Sequence, residues 1–304
     1  MTMRSGCALG VEADPRIQSI DGPRLAGSMP DIVAHPLLET ETVTIRDVYC
    51  QGRHAGRSDE ESTDETRLVF PYRGVFVRHL GSDQAVAEAN QVLLFNHSES
   101  YRVSHPVPGG DASLDVVVTY PVLRELTPRA LLGKGGTPVF RRQRLRIDPR
   151  AQALVALLRH SLRQGTAEPL EAESLALTLA KRALGVRTTH VPGASVGRQR
   201  LADRTKLVLA SDPARRWTLA EIAAEVGRSP VYLTQVFQQV EGVPLYRYQL
   251  RLRLARALEL LPRYDDLTSL SLDLGFYSHS HFSTAFAKAY GYSPSTFKQA
   301  ASHR

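Results

Sequence analysis

The chain has 304 residues, of which 42% are hydrophobic and 23% charged, and its formal net charge is +7. These values are ordinary for a soluble globular protein, and the length is enough for about two domains of ~100–200 residues. No stretch approaches the ~18 consecutive apolar residues of a membrane span, and the N-terminus lacks the apolar run of a signal peptide. Two cysteines, Cys7 and Cys50, make neither a disulfide framework nor a four-cysteine zinc site. We therefore expect a cytoplasmic protein without a membrane partner.

The positive charge is concentrated in the last third of the chain. Residues 198–304 contain 15 Lys and Arg against 9 Asp and Glu, whereas residues 1–197 contain 23 against 22. A local basic excess suggests a polyanion partner, most often nucleic acid. A basic surface without any partner is the alternative at this point.

The first half of the chain has the pattern of a tail followed by short strands. Residues 1–35 are rich in Gly, Pro, Asp and Ser, which indicates a flexible tail. Residues 36–148 contain short segments rich in Val, Phe and Tyr, separated by turn residues at 81–83 and 108–111. This pattern predicts a small barrel or sandwich. The predicted strands are TVTIRDVYC, RLVFPYRGVFVRHL, QVLLFN, YRVSHP and LDVVVTYP.

From residue 149 the apolar residues recur at helical spacing. Residues 149–186 predict two amphipathic helices that end near Gly165 and Gly185. Two interpretations are open: both helices pack on the barrel, or the hairpin forms a dimer interface. Residues 187–199 contain Gly, Pro, Ser and Thr without a periodic pattern, and they predict a linker.

The last hundred residues contain one sequence unit twice. Residues 219–244 align with residues 267–294 at an offset of 48, with single insertions later in the unit. The repeat pairs Leu219 with Leu267, Ala223 with Ser271, Gly227 with Gly275, Leu233 with Phe282 and Phe237 with Phe286. Such self-similarity indicates one supersecondary unit used twice.

The repeated unit is predicted to be a helix-turn-helix. A short helix runs to a glycine that suits a tight turn, and a second helix with apolar residues at helical spacing follows. Thr218 with Glu221 has the spacing of a capping box, and Ser229 before Pro230 is an N-cap followed by proline. Residues 245–261 predict a connecting helix roughly 25 Å long. Such a helix would hold the two second helices about 34 Å apart, one turn of DNA. A helical bundle that does not bind DNA explains neither the repeat nor the local charge.

Three motifs in this region are specific. They are LAEIAAEVGRSPVYLTQVF (219–237), RLRLARALELL (251–261) and LGFYSHSHFSTAFAKAYGYSPSTFK (274–298). Residues 200–298 resemble the DNA-binding domain of AraC-type bacterial transcription regulators. The resemblance implies an α+β protein with a cupin-like effector-binding barrel at 36–148 and a DNA-binding double helix-turn-helix domain at 200–304. It also implies promoter DNA, a small-molecule effector, a second copy of the chain and RNA polymerase as partners.

The exposed positions of the two second helices are the candidate base-reading residues. In the first unit they are Val231, Tyr232, Thr234, Gln235 and Gln238; in the second they are His279, Ser280, Ser283, Thr284 and Lys288. Gln pairs bidentately with adenine, and Ser or Thr reaches several base edges. Many family members carry Arg at the positions of Gln235 and Thr284. Six basic residues are candidates for phosphate contacts, which position a protein on DNA without specifying sequence: Arg228, Arg247, Arg251, Arg215, Arg216 and Lys298.

The barrel is predicted to bind a small molecule and to hold no metal, cofactor or catalytic residue. The predicted pocket residues are Phe76, Arg78, Phe95, Tyr101 and His105, with the Arg suited to an acidic effector. The region also contains His54, His79, His97 and Glu99, but the early H-x-H pattern of cupin metal sites is absent and Tyr101 stands where a ligand histidine is expected. His279 and His281 form an H-x-H pair, but the repeat places them at the start of a recognition helix.

Two alternatives to the effector-controlled regulator are open. One is a metal-dependent cupin enzyme fused to a DNA-binding domain, with His97 and His105 as ligands. The other is a regulator controlled by a protein partner through the 149–186 helices.

Overall fold

The computed structural model describes residues 32–52, 55–133, 140–185 and 195–302. The predicted tail up to residue 31, His54 and most of the predicted linker therefore lie outside the described residues. The predicted tail ended at residue 35, but the first strand begins at Ile32.

The N-terminal region is built from two antiparallel sheets. The strands are β1 (Ile32–Glu39), β2 (Val43–Cys50), β3 (Arg67–Arg73), β4 (Phe76–Leu80), β5 (Asp83–Ala87), β6 (Gln91–Phe95), β7 (Arg102–Ser104), β8 (Asp111–Val118) and β9 (Arg144–Arg146). One sheet has the order β1-β2-β8-β3-β6-β9 and the other the order β5-β4-β7. The five predicted segments are strands, the second of them as two strands interrupted at Gly74, whereas β1, β5 and β9 were not predicted.

The helices occupy most of the rest of the chain. They are α1 (Tyr120–Leu126), α2 (Pro149–Gln164), α3 (Pro169–Leu184), α4 (Val196–Ser211), α5 (Leu219–Glu225), α6 (Pro230–Glu241), α7 (Leu245–Leu260), α8 (Leu267–Asp273), α9 (His279–Tyr290) and α10 (Pro294–Ser302), with 3-10 turns at Arg129–Leu131 and Leu261–Arg263. The predicted α+β fold is confirmed. Because α4 begins at Val196, residues 196–199 of the predicted linker are helical, capped by Ser195. None of the described helices is long and apolar enough to cross a membrane.

The alternation of side chains gives the larger sheet two different faces. Ile45, Phe70 and Leu114 point to one face and are fully buried in a core shared with α2 and α3. Their sequence neighbours Arg46, Val69 and Ser113 point to the other face and line a cavity. This follows from the two-residue period of a strand.

Helix α2 lies between the larger sheet and the last third of the chain. Its residues Val155 and Leu158 pack in the core with the sheet, whereas Ala153 and Ala156 pack in the core of the second helix-turn-helix unit. Asp47 of β2 fixes the helix further, because Arg159 Nε lies 2.9 Å from its carboxylate. The apolar surface that α2 leaves beside the barrel is therefore covered by the same chain.

The two helix-turn-helix units have separate hydrophobic cores joined by α7. The N-terminal half of α7 contributes Tyr248 and Leu252 to the core around α4, α5 and α6. Its C-terminal half contributes Leu254 and Leu258 to the core around α8, α9 and α10. The predicted connecting helix therefore supports both units.

Candidate functional site

The first helix-turn-helix unit is closed by the predicted caps. Thr218 Oγ1 accepts a hydrogen bond from Glu221 N, and Glu221 accepts one from Thr218 N at 2.7 Å, which makes a capping box. Gly227 in the turn has φ +64°. Ser229 Oγ then accepts from Tyr232 N at the start of α6. These local bonds fix the angle between α5 and α6.

The second unit repeats this plan with different caps. Asp266 accepts hydrogen bonds from Thr268 N and Ser269 N at the start of α8, and Ser278 Oγ accepts from His281 N at the start of α9. Gly275 has φ +80°, and an added Cβ would overlap the carbonyl oxygen of Ala214. In both units the small residue at the helix crossing is buried, as the repeat predicts for Ala223 and Ser271.

Helix α6 presents an uncharged polar face to solvent. Leu233, Val236 and Phe237 are buried in the core of the unit. The five predicted base-reading residues are exposed or half-exposed, with Val231 67% exposed: Val231, Tyr232, Thr234, Gln235 and Gln238. The acidic residue of the helix, Glu241, is buried. The exposed face therefore offers no carboxylate that would repel phosphates.

Helix α9 presents a similar face in the second unit. Phe282 and Phe286 are fully buried, and the five predicted residues are exposed or half-exposed: His279, Ser280, Ser283, Thr284 and Lys288. His279 Nε2 lies 3.2 Å from Ser283 Oγ on the next turn. His281 packs edge-on against the Phe276 ring with 5.4 Å between centroids. The two histidines thus have different neighbours.

Two arginines bind the units to each other through backbone carbonyls. Arg253 of α7 donates to Pro213 O at 2.8 Å and to Gly275 O at 3.0 Å. Arg216 donates to Phe276 O at 3.0 Å and its guanidinium lies 4.2 Å from the Tyr277 ring centroid. The segment before the first unit is thereby joined to the turn of the second. Arg253 was missed by the sequence analysis, since nothing in its local pattern distinguishes it from a surface arginine.

The six phosphate candidates differ in how free they are. Arg228 and Arg247 are exposed. Arg215 pairs with Glu221 at 2.7 Å and lies over the Trp217 ring. Burial lowers the pKa of the half-buried Arg251, and Lys298 donates to Tyr264 O. Of the six, Arg228 and Arg247 are therefore the exposed arginines whose hydrogen bonds, to Gly227 O and Tyr246 Oη, go only to the adjacent residue.

A cavity of about 360 Å³ lies between the two sheets of the barrel. Four of the five predicted pocket residues line it: Phe76, Phe95, Tyr101 and His105. Arg78 does not, because it is fully buried with its guanidinium 3.9 Å from the Phe95 ring centroid and bonded to Leu94 O and Glu99. The Phe95 ring therefore covers Arg78, and its charge is already paired.

The cavity has two polar ends, of whose residues the sequence analysis predicted only His105. At one end Arg46 pairs with Glu65, and Arg67 lies 3.3 Å from Asp115. At the other end Cys50, His105 and Asp111 converge. The strand register pairs Arg46 with Asp115 and Cys50 with Asp111, so the two ends are four residues apart, or roughly 13 Å. The pairing of β2 with β8, which are distant in sequence, brings Arg46 to Asp115 and Cys50 to Asp111.

The barrel contacts the helix-turn-helix region through buried polar groups. Tyr248 of α7 donates a short hydrogen bond to Glu88, which follows β5. Arg144 of β9 lies 3.1 Å from Asp203 of α4. Lys206 of the same helix lies 2.6 Å from Glu241 at the end of α6. The position of the first unit is therefore coupled to the barrel.

The chain is similar in sequence to known transcription regulators. A family model for a helix-turn-helix domain matches residues 222–300. The transcriptional activator RhaR of Klebsiella pneumoniae is 26% identical over 271 residues, which cover 86% of this chain and 92% of RhaR. The chain therefore carries a helix-turn-helix domain at its C-terminal end and is similar to AraC-type transcription regulators.

Two further relatives match about a third of this chain or less. The uncharacterised regulator YidL of Escherichia coli is 35% identical over 82 residues, 27% of this chain and 28% of YidL. A solved regulator with an AraC-type DNA-binding domain, from Chromobacterium violaceum, is 28% identical over 35% of this chain and 97% of its own, with a TM-score of 0.33.

Proposed function

We propose that this regulator reads promoter DNA with α6 and α9 and that a small molecule in the barrel cavity controls this binding. The observation that carries the proposal is the pair of capped helix-turn-helix units whose second helices both present exposed, carboxylate-free polar faces. A helix of this kind enters the major groove, where its side chains meet base edges.

On these faces we assign the reading of bases to Gln235 and Thr284. We assign the phosphate contacts to Arg228, which precedes α6, and to Arg247 of α7. Gln235 and Thr284 stand at the centre of the exposed faces of α6 and α9. Their amide and hydroxyl groups pair with base edges, whereas the two guanidinium groups contribute salt-dependent affinity.

Gel-shift titration on a fragment near the regulator's own gene tests this assignment. The double variant Gln235→Ala, Thr284→Ala is expected to lose about 1–3 kcal/mol of discrimination per base contact while its affinity for random DNA stays close to wild type. Gln239→Ala is the matched control, because Gln239 lies on the same helix but accepts a hydrogen bond from Arg198. Equal losses on specific and random DNA would exclude the two residues as base readers.

The cavity suits an elongated small molecule with an apolar body and polar groups at its ends. Its volume falls in the range of ~300–1,000 Å³ for ligand sites. Val69, Phe76 and Phe95 form apolar walls between the two polar ends. Because Arg46 and Arg67 are already paired with carboxylates, an acidic group alone would have to compete with Glu65 and Asp115.

Strand β4 offers the route by which an effector would act on DNA binding. Phe76 lines the cavity, while the adjacent Val77 packs with Leu207 and Ala210 of α4 on the opposite side of the strand. A ligand that shifts β4 therefore changes the surface on which α4 rests. A ligand shifts such an equilibrium only by its difference in affinity for the two arrangements.

A thermal-shift screen of small metabolites, followed by gel shift with each hit, tests the sensor role. A true effector raises the Tm of the wild type, and Phe76→Ala reduces that rise. A stable complex with another protein, in place of any small-molecule hit, would favour the protein-partner alternative.

Size-exclusion chromatography with light scattering tests whether the chain forms a homodimer. Co-purification with RNA polymerase tests whether the polymerase is a partner.

A further inference from the structure

We propose that Cys50, His105 and Asp111 form a binding site for a divalent transition-metal ion of the Zn²⁺ or Co²⁺ type at one end of the barrel cavity. Their donor atoms, one sulfur, one nitrogen and one oxygen, all lie within 4.8 Å of one another. All three residues are buried, and all three line the cavity.

The backbone brings the three donors together with little freedom. Cys50 ends β2 and Asp111 begins β8, and the register pairs these two residues directly. Gly110 permits this approach, since an added Cβ there would overlap the carbonyl oxygen of Cys50. His105 follows β7 on the facing sheet. The donor positions are therefore set by strand pairing before any ion binds.

The donors converge on a common point instead of forming a catalytic relay. In a nucleophile–histidine–carboxylate relay the nucleophile and the carboxylate occupy opposite nitrogens of the imidazole ring. Here the cysteine and carboxylate donors lie within 4.8 Å of each other and of one ring nitrogen. His105 Nε2 is 2.9 Å from Asp111 Oδ2, yet that oxygen has no well-directed hydrogen bond. Without an ion the imidazole and the carboxylate therefore pair with each other, and a metal ion bound between the three donors would replace this contact.

The number of donors, their chemical softness and their total charge all suit a cation of borderline hardness such as Zn²⁺. Zinc binds Cys sulfur at ~2.3 Å and His nitrogen or carboxylate oxygen at ~2.0–2.2 Å, and three protein ligands leave a fourth position open. A thiolate and a carboxylate balance the charge of a divalent ion, which a buried site requires. The fourth position would face the cavity, where a ligand atom or water completes the shell.

Cobalt titration of the untagged, reduced, chelator-treated full chain tests the proposal. One equivalent of Co²⁺ per chain is expected, with a sulfur-to-cobalt charge-transfer absorption that Zn²⁺ abolishes. Cys50→Ser should remove that absorption. Asp111→Asn and His105→Asn should weaken binding by more than about 100-fold, because loss of a mere outer-shell partner already costs about 10–100-fold.

Two variants serve as matched controls. Cys7→Ser removes the only other cysteine of the sequence, and His97→Gln removes an exposed histidine that bonds Asp64 O. Both should keep the wild-type absorption. Far-UV circular dichroism of Cys50→Ser checks that the variant is folded without relying on DNA binding, so failure of the metal site and failure of DNA binding remain distinguishable. Absence of the absorption in the wild type, its persistence in Cys50→Ser, or its loss in Cys7→Ser would overturn the site.

Discussion

At the first helix-turn-helix unit a fully buried lysine of α4, Lys206, pairs with Glu241 at the end of α6, whereas aromatic rings fill the core of the second unit. Phe282, Phe286 and Tyr290 follow one another along α9, with Phe286 and Tyr290 4.6 Å apart at their centroids. The first unit also meets the barrel through the polar pair Glu88 and Tyr248, and the second meets α2 through alanines. One sequence plan thus supports two kinds of attachment, one of them dependent on charge.

Replacing the buried Lys206 should give the largest difference in stability between the two helix-turn-helix units. Lys206→Met should destabilise the protein by about 3–5 kcal/mol, because it leaves Glu241 charged, buried and without its partner. Burial raises the pKa of Glu241, but Lys206, Arg144 and Arg146 together outweigh burial and lower it below its ordinary value. Urea unfolding measures the loss.

Lys288→Met in the second unit is the matched control, since Lys288 is exposed and the change should stay within about 0.5 kcal/mol. Adding Glu241→Gln to Lys206→Met should recover part of the stability. If the two lysine substitutions cost the same, the ionic attachment of the first unit contributes nothing.

The two turn glycines give the next largest difference. Gly227→Ala should cost roughly 1–2 kcal/mol, the price of placing an L residue at positive φ, since nothing lies near its added Cβ. Gly275→Ala should cost roughly 2–5 kcal/mol, because its Cβ also overlaps the Ala214 carbonyl. Thermal unfolding of the two variants side by side measures the gap. Equal melting temperatures would show that the segment at Ala214 moves aside freely.

The smallest difference in stability is expected between variants of two tyrosines. Tyr248 reaches the barrel and Tyr290 reaches α2. Tyr248→Phe should cost about 1–3 kcal/mol, because Oε1 of the buried Glu88 loses its donor while Oε2 keeps that from Asn90 N. Tyr290→Phe should cost less, since its hydroxyl lies 3.4 Å from Gln152 Oε1, at the limit of a hydrogen bond. Denaturant midpoints decide between them, and a larger loss for Tyr290→Phe would contradict the polar attachment of the first unit.

The helical half of the fold was accessible from sequence because burial there follows a local period. Leu233 and Phe237 are one turn apart, and so are Phe282 and Phe286, and all four are buried as their spacing predicts. The exposed faces of α6 and α9 follow from the same spacing. The caps at Thr218 and Ser229 are equally local, since each bond spans three residues.

The cavity was less accessible because it depends on pairing between distant strands. Phe76 and Arg78 share one face of β4, yet only Phe76 reaches the cavity, because the ring of Phe95 from another strand covers Arg78. Cys50 and Asp111 are adjacent only through the β2–β8 register. The contact between Tyr248 and Glu88 spans 160 residues, and no local pattern indicates it.

Helix α2 contributes residues to two different hydrophobic cores, and this restricts which substitutions the helix tolerates. Val155 faces the sheet and Ala156 faces the second unit, so adjacent residues of the helix pack in different cores. Inserting one residue before them would turn the rest of the helix by ~100° and exchange the two surfaces. The spacing between the barrel and α9 is therefore set by the width of a single helix, about 10 Å. Substitutions in α2 should therefore keep the sheet-facing surface apolar at Val155 and Leu158, and the opposite surface small and apolar at Ala153 and Ala156.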